Sequence, residues 1–395
     1  MTSKVVPESY DEREQAFIKH TLLEKYLQKL FLILGAGSRG RSIELCYVDC
    51  FAGPWGDPSE DMEGTSIALS LRTLDACRKA LEAHDVKAKF RALFIEKDSH
   101  AFARLETYLR NSTPPGIDSA CRHGDFVALR GDILQWAGRD AFVFFFVDPK
   151  GYKDVGIEKL RMLVERPRSE VLVTFIYNWV NRTISMSAQK DGMADLIGEK
   201  IDLEGLPPNQ REDRILGAYR RNLKNCVPSN VKFPARSAYV RIMHRTKERT
   251  WYHLVYVTSH PLGIIEFMKI SEKVDLVQKR VRTGKKGSER EERTGMSDMF
   301  PDEPIDETSA GRASQEDVDE YWHTYLRRGA RRIGQSEFAT ILEETDWFAS
   351  DLQSSLVRLI KAGAIRNVDS ASKRPKMPLH YDEGQGERLE LVVRS

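Results

Sequence analysis

The run Ala141-Phe-Val-Phe-Phe-Phe-Val147 carries no polar side chain until Asp148 ends it. It is far too short to span a bilayer. It also lacks the apolar-polar alternation of a strand with one wet face. The run therefore predicts a central parallel strand covered by helices on both sides. A shorter run, Leu45-Cys-Tyr-Val48, likewise ends on an acid, Asp49, and opens into Cys50-Phe-Ala-Gly-Pro-Trp-Gly56. Gly53 and Gly56 predict a backbone that turns sharply and lets a ligand come close. Open α/β sheets bind ligands at the carboxyl ends of their strands. The loop is thus expected to cradle a nucleotide-like cofactor.

The neighbouring segments fit the same scheme. Ile18, Leu22, Leu23, Tyr26, Leu27, Leu30, Phe31 and Leu34 recur at helical spacing and predict an amphipathic helix over residues 11–35. A second helix is predicted from Gly64, capped by Thr65 or Ser66, with its first amides facing the cofactor site. Phe90–Glu96 reads as a strand ending in an acid, followed by a helix from Ser99 to Leu109. Glu96 stands where many nucleotide folds grip a ribose hydroxyl pair. Phe126–Asp132 is expected to be the third strand with Asp132 at its tip, Gly124-Asp125 being the competing choice. Glu170–Asn178 is the fifth strand. Two helices, around Ala188 to Ile201 and Gln210 to Leu223, are expected as an insertion (182–234) above the carboxyl edge. Ser237–His244 and Thr250–Thr258 predict a hairpin. The class is α/β: a Rossmann-like, doubly wound parallel sheet closed by an antiparallel pair, over residues 1–275.

Residues 276–315 read as a linker whose basic half (Lys279, Arg280, Arg282, Lys285, Lys286, Arg290) gives way to an acidic one. Residues 316–395 show three short helices and two strands, which predicts a winged-helix-like domain. The net charge is only +2, so a nucleic-acid site would have to come from local clustering. Candidates are the linker's basic half, Arg241 to Arg249, and Tyr325-Leu-Arg-Arg-Gly-Ala-Arg-Arg332. Five cysteines (46, 50, 77, 121, 226) form no CxxC pair and read as reduced core thiols. The histidines show no ligand spacing, so no metal site is expected. The first residues lack the apolar core of a signal peptide, and the expected location is cytoplasmic.

Asp49-Cys-Phe-Ala-Gly-Pro-Trp-Gly56 resembles the methyltransferase pattern D-x-F-x-G-x-G, with Trp55 interrupting its small-residue rhythm. Together with Phe94-Ile-Glu96, Phe146-Val-Asp-Pro-Lys-Gly151 and His260-Pro-Leu-Gly263, it makes the first two-thirds of the chain resemble the three-Cys-motif partner protein family. That resemblance implies a class I methyltransferase fold and S-adenosyl-L-methionine as cofactor. It also implies a separately encoded three-cysteine protein as partner. Asp49, Phe51, Ala52, Gly53 and Gly56 would contact the methionine end, and Glu96 the ribose. Asp132 would bond the adenine amino group, with Ile133 against the ring. A nicotinamide dinucleotide fits less well, because only one glycine of G-x-G-x-x-G has a place.

Asp148-Pro-Lys-Gly-Tyr152 is where the acceptor chemistry is expected. An exocyclic amine on a base delocalises its lone pair into the ring. A carboxylate and a backbone carbonyl that accept its two hydrogens free that pair for attack, while an aromatic ring stacks on the base. Asp148, the Pro149 carbonyl and Tyr152 could supply these groups, although Lys150 and Gly151 depart from the D/N-P-P-Y/F form. The alternative is that Asp148-Pro149 only ends the strand and Tyr152 only packs. Asn178 and Arg182 could line the same pocket, and Trp179 could stack on a base flipped from DNA or RNA. A rival expectation is a non-catalytic partner protein whose cofactor fold serves as an assembly platform.

Overall fold

The computed structural model describes residues 6–10, 12–38, 40–53, 62–184, 190–229, 232–294, 313–370, 377–382 and 385–392. The chain divides into two compact units, Met1–Ser259 with Val277–Asp302 and His260–Leu276 with Glu303–Ser395.

In the first unit, α1 (Glu14–Ala36) leads into β1 (Ile43–Asp49). Then come α2 (Ser66–Glu82), β2 (Ala88–Glu96), α3 (Ser99–Ser112), β3 (Ile117–His123), α4 (Arg130–Ala137) and β4 (Phe142–Val147). The alternation continues with α5 (Ile157–Glu165), β5 (Ser169–Phe175), α6 (Tyr177–Ile184), α7 (Lys190–Ile197) and α8 (Pro208–Asn225). The hairpin β6 (Arg236–Met243) and β7 (Thr250–Thr258) precedes the long α9 (Pro261–Thr294). The sheet order is β3-β2-β1-β4-β5-β7-β6. β1 to β5 are parallel, and β7 runs antiparallel to both of its neighbours. This is the expected Rossmann-like sheet. The apolar run is β4, central and buried along its whole length.

Two helical layers explain why that strand needs no polar residue. On one face α1 lays Tyr26 against Phe144 (5.9 Å between ring centroids) and Phe31 against Phe90 (6.1 Å). On the other, Val143, Phe145 and Val147 join a core with Ile133 of α4, Leu160 and Leu163 of α5, and Tyr219 of α8. Each such side chain contributes about 2 kcal/mol by leaving water.

Four expectations need correction. The third strand is Ile117–His123, and Phe126–Asp132 is not a strand. Only Ile117 of this edge strand is buried, so no apolar run announces it. The apolar Phe126-Val-Ala-Leu instead turns into α4, because Asp125 Oδ1 accepts from the Val127 and Ala128 amides (2.9 and 3.3 Å). Second, α8 is a layer of the fold and not an insertion above the edge. β6 runs in the same direction as β5, so the chain must cross back over a face between them. Ile215, Leu216, Tyr219 and Leu223 fill that face, with the Tyr219 ring 4.4 Å from Phe175.

Third, α9 continues the chain as helix through Thr294, over the whole basic half of the expected linker. Gln278 of α9 accepts from the Met243 amide (2.8 Å) and donates to the Arg241 carbonyl (3.1 Å), which ties the helix to β6. The acidic half lies outside the described residues. Fourth, β5 stops at Phe175, and Asn178 falls in the first turn of α6.

The second unit continues with α10 (Gln315–Leu326), β8 (Arg331–Ile333), α11 (Gln335–Thr345), α12 (Ala349–Lys361), β9 (Ile365–Asn367) and β10 (Glu387–Leu391). Its sheet, β8-β10-β9, is antiparallel throughout. The three expected helices are present, and the sheet has three strands where two were expected. β8 is too short and too charged to be read from pattern. No helix among the described residues is long and apolar enough to cross a membrane.

Candidate active site

A cavity of about 370 Å³ opens where β1, β2, β3 and β4 end. Its wall takes Cys50 and Phe51 after β1, Ile95 and Glu96 on β2, Gly124 and Phe126 after β3, and Lys150 to Asp154 after β4. Parallel strands terminate at one edge, so four loops that are distant in sequence converge there.

The loop after β1 is hung on Asp49. This fully buried acid accepts from the Phe51 amide (3.1 Å), the Ser66 hydroxyl (2.6 Å) and the Tyr47 hydroxyl (3.3 Å). Ser66 begins α2, whose cap is Thr65, bonded to the Ala68 amide (3.3 Å). The Ala52 amide donates to the Ile95 carbonyl (2.8 Å), which pins the loop to β2. Burial pushes the Asp49 carboxyl up to about 6. The hydrogen bonds from Ser66, Phe51 and Tyr47 oppose that rise, and the nearby charge of Asp148 adds to it. Asp49 does not itself line the cavity; it positions the residues that do. Gly53 is described and buried, whereas Gly56 lies outside the described residues.

Glu96 is 2% exposed yet stands on the cavity wall. One of its oxygens accepts from the Asp98 amide (2.6 Å), which fixes the carboxylate at the head of α3. Beside it, the Gly124 amide donates to the Glu96 carbonyl (2.9 Å). Gly124 adopts φ +146°, and a Cβ there would stand 3.0 Å from Leu129, so the close approach requires glycine. Phe126 packs its ring 5.3 Å from Phe51 and lines the cavity.

The structure does not bring Asp132 and Ile133 to this cavity. Asp132 is exposed on α4, and Ile133 is buried in the core beneath the sheet. The slip follows from the misread third strand: the segment that leaves β3 at the cavity is Gly124-Asp125-Phe126.

After β4, Tyr152 lines the cavity, while Pro149 is buried and outside the lining. Asp148 points to the α1 face and forms an ion pair with Lys19, which no motif suggested. A helical residue some 130 positions upstream gives no local signal. Asn178 is buried and off the lining, and the Arg182 side chain lies outside the described residues. Trp179 is on the rim and 49% exposed. Tyr152 and Lys153 also border a second cavity of about 470 Å³, with Lys159 and Asp195.

Much of the expected nucleic-acid charge is engaged within the chain. Arg241 pairs with Glu212 (3.2 Å), Arg245 with Glu12, and Lys285 with Glu12 (2.6 Å). Arg282 reaches the His244 carbonyl (3.0 Å) and Glu248 (2.8 Å). In the second unit, Arg358 of α12 binds Asp319 of α10 (2.7 Å), and Arg332 pairs with Asp369 (3.1 Å).

No family model matches the chain, and no curated protein matches it. Solved structures do. A protein from Legionella pneumophila is 12% identical with a TM-score of 0.35, over 68% of this chain and 91% of that one. A dimethyladenosine transferase from Plasmodium falciparum is 11% identical with a TM-score of 0.28, over 84% and 95%. An SAH-bound methyltransferase from Podospora anserina is 8% identical with a TM-score of 0.26, over 65% and 99%. Likenesses this distant decide nothing about chemistry, which the side chains themselves must carry.

Proposed function

We propose that this chain is an S-adenosyl-L-methionine-dependent methyltransferase acting on an exocyclic amino group of a nucleic-acid base. The observation that carries the donor is Glu96, a buried carboxylate on the wall of a nucleoside-sized cavity at the end of the second parallel strand. Its carboxylate suits the paired ribose hydroxyls. The Phe51–Gly53 turn, held by Asp49, suits the methionine end. Ile95 and the Phe126 ring, both on the cavity wall, offer apolar faces for the adenine, whereas Asp125, like Asp132, is exposed and off the lining.

A bound cofactor would supply an electrophilic methyl group for the acceptor's lone pair, with the C–S electron pair leaving on sulfur. The chain's own part is to orient the acceptor. Asp148 and the Pro149 carbonyl accept the amine hydrogens, Tyr152 and Trp179 stack on the base, and the proton shed by the methylated nitrogen passes to Asp148 or to water. The order α10-β8-α11-α12-β9-β10 supports a winged-helix reading of the second unit. Association with a three-cysteine protein belongs to the same proposal.

Calorimetry with S-adenosyl-L-methionine, using Asp49→Ala as control, tests the donor; an absence of heat from the parent protein refutes it. Tritiated methyl transfer to bulk RNA and bulk DNA tests the acceptor, and label in neither pool refutes the nucleic-acid reading. Because donor binding needs Asp49 ionised to hold the Phe51 amide, affinity should fall as pH drops through about 6.

The adenine seat separates two residues cleanly. Phe126→Leu keeps an apolar side chain but loses the ring, and should weaken donor binding about tenfold. Asp132→Ala should leave it within about twofold, as expected for an exposed surface residue. Equal losses in the two variants would argue against this seat.

A further inference from the structure

Asp49 and Asp148 end adjacent strands, β1 and β4, on the same α1-covered face of the sheet. Two neighbouring carboxylates repel one another, and the Asp148 charge is felt at Asp49. The α1 helix answers this with one cation. The Lys19 ammonium donates to Asp148 Oδ2, with Lys19 13% and Asp148 21% exposed. It also lies 5.8 Å from the centre of the buried Tyr252 ring. That tyrosine is itself anchored, its hydroxyl donating to the Gln15 carbonyl (2.8 Å), one helical turn before Lys19. Arg13 adds a further tie, donating to the Gly64 carbonyl just ahead of α2.

The first two turns of α1 are thereby fixed at three points, on β7, on the loop before α2 and on Asp148. A flexible lysine stem in open solvent would lose an exposed ion pair to entropy and screening. Here the stem is mostly covered, its base is clamped and an aromatic ring backs the ammonium, so the pair is held in one geometry.

We propose that Lys19 is a positioning residue: its ion pair with Asp148 Oδ2 fixes that carboxylate's orientation and leaves Oδ1 as the oxygen that meets the acceptor amine. The idea rests on the amine-methylation reading only for its last clause; the positioning itself is a property of the free protein. Lys19 does not line the donor cavity. Its loss should therefore act on the acceptor step and spare donor binding.

Lys19→Met and Lys19→Arg in the full chain provide the test. Crystal structures should show the Asp148 carboxylate turned away in Lys19→Met and held in Lys19→Arg. Calorimetry should give both variants S-adenosyl-L-methionine affinity within about twofold of the parent. Tritium transfer to bulk RNA and DNA should fall about tenfold or more in Lys19→Met and recover in Lys19→Arg, since small misplacements of reacting groups carry costs of this size. An Asp148 that keeps its position in Lys19→Met overturns the proposal, as does a Lys19→Arg variant as impaired as Lys19→Met. A parent protein that labels neither pool refutes the acceptor reading alone. The two crystal structures then still decide the role of Lys19.

Discussion

Replacing Glu96 with alanine is expected to weaken S-adenosyl-L-methionine binding about a hundredfold. Hydrogen bonds to a charged acceptor contribute roughly 1.5–3 kcal/mol each. A ribose presents two hydroxyls to one carboxylate. Losing both interactions costs about 3 kcal/mol, which is about two decades in affinity. The group is already desolvated and fixed by the Asp98 amide, so little of that energy goes into ordering it on binding. Glu96→Gln keeps an acceptor but loses the charge, and should fall between alanine and the parent. Calorimetry measures the effect directly. A melting curve without ligand separates it from any loss of fold caused by releasing the Asp98 amide. A Glu96→Ala protein that binds within about threefold of the parent would refute the ribose assignment.

Glu170, a buried acid, should make stability decline as pH rises through neutrality. Glu170 on β5 is enclosed beneath α1, accepting from Tyr26 (2.9 Å) and Thr258 (2.9 Å), with Tyr26 and Tyr256 bonded to each other. Burial pushes its carboxyl up to about 7, against the opposing hydrogen bonds from Tyr26, Thr258 and Tyr256. The folded state therefore holds a proton between about pH 4.5 and 7 that the unfolded chain releases. The stabilisation is fully present below the unfolded value and disappears as pH climbs through the folded one.

The shift corresponds to roughly 3 kcal/mol. Glu170→Gln, which has nothing to ionise, should match the parent near pH 4.5 and exceed it by about that amount near pH 8. Urea unfolding of both proteins across this range measures the difference directly. A constant gap across the range would mean that Glu170 is not the titrating group. Asp49, also raised, adds a pH dependence of the same sign, which the pairwise comparison cancels.

The sheet was legible wherever burial on both faces forced an unbroken apolar run. Leu45–Val48 and Ala141–Val147 could be little else, Phe90–Glu96 is broken only by the half-buried Arg91, and an acid ends or follows each of them. Asp49 and Glu96 end β1 and β2 as expected, because a strand end is written locally in the chain. β3 escaped because an edge strand has only one neighbour and buries little; its Asp-Ser-Ala-Cys-Arg-His reads as a loop, while the apolar Phe126 to Leu129 posed as a strand. For that reason the segment expected at the strand tip was Asp132-Ile133, whereas the chain leaving β3 is Gly124-Asp125-Phe126.

What the sequence alone determined is local: which stretches must be strands, where each ends, and which acids stand at those ends. Periodicity and turn chemistry act over a few residues and are written in the chain. Only the tertiary structure decided that α8 covers the sheet, that Phe126 lines the cavity, that Arg241, Arg245 and Arg282 are engaged internally, and that Lys19 meets Asp148. Those pairings join residues up to 233 positions apart, Arg245 with Glu12 being the widest of them. No spacing rule connects them, because they follow from how layers pack and which side chains then face each other. The same physics that made the central strand readable, complete exclusion of water from both faces, needs the helix that carries Lys19 to the site.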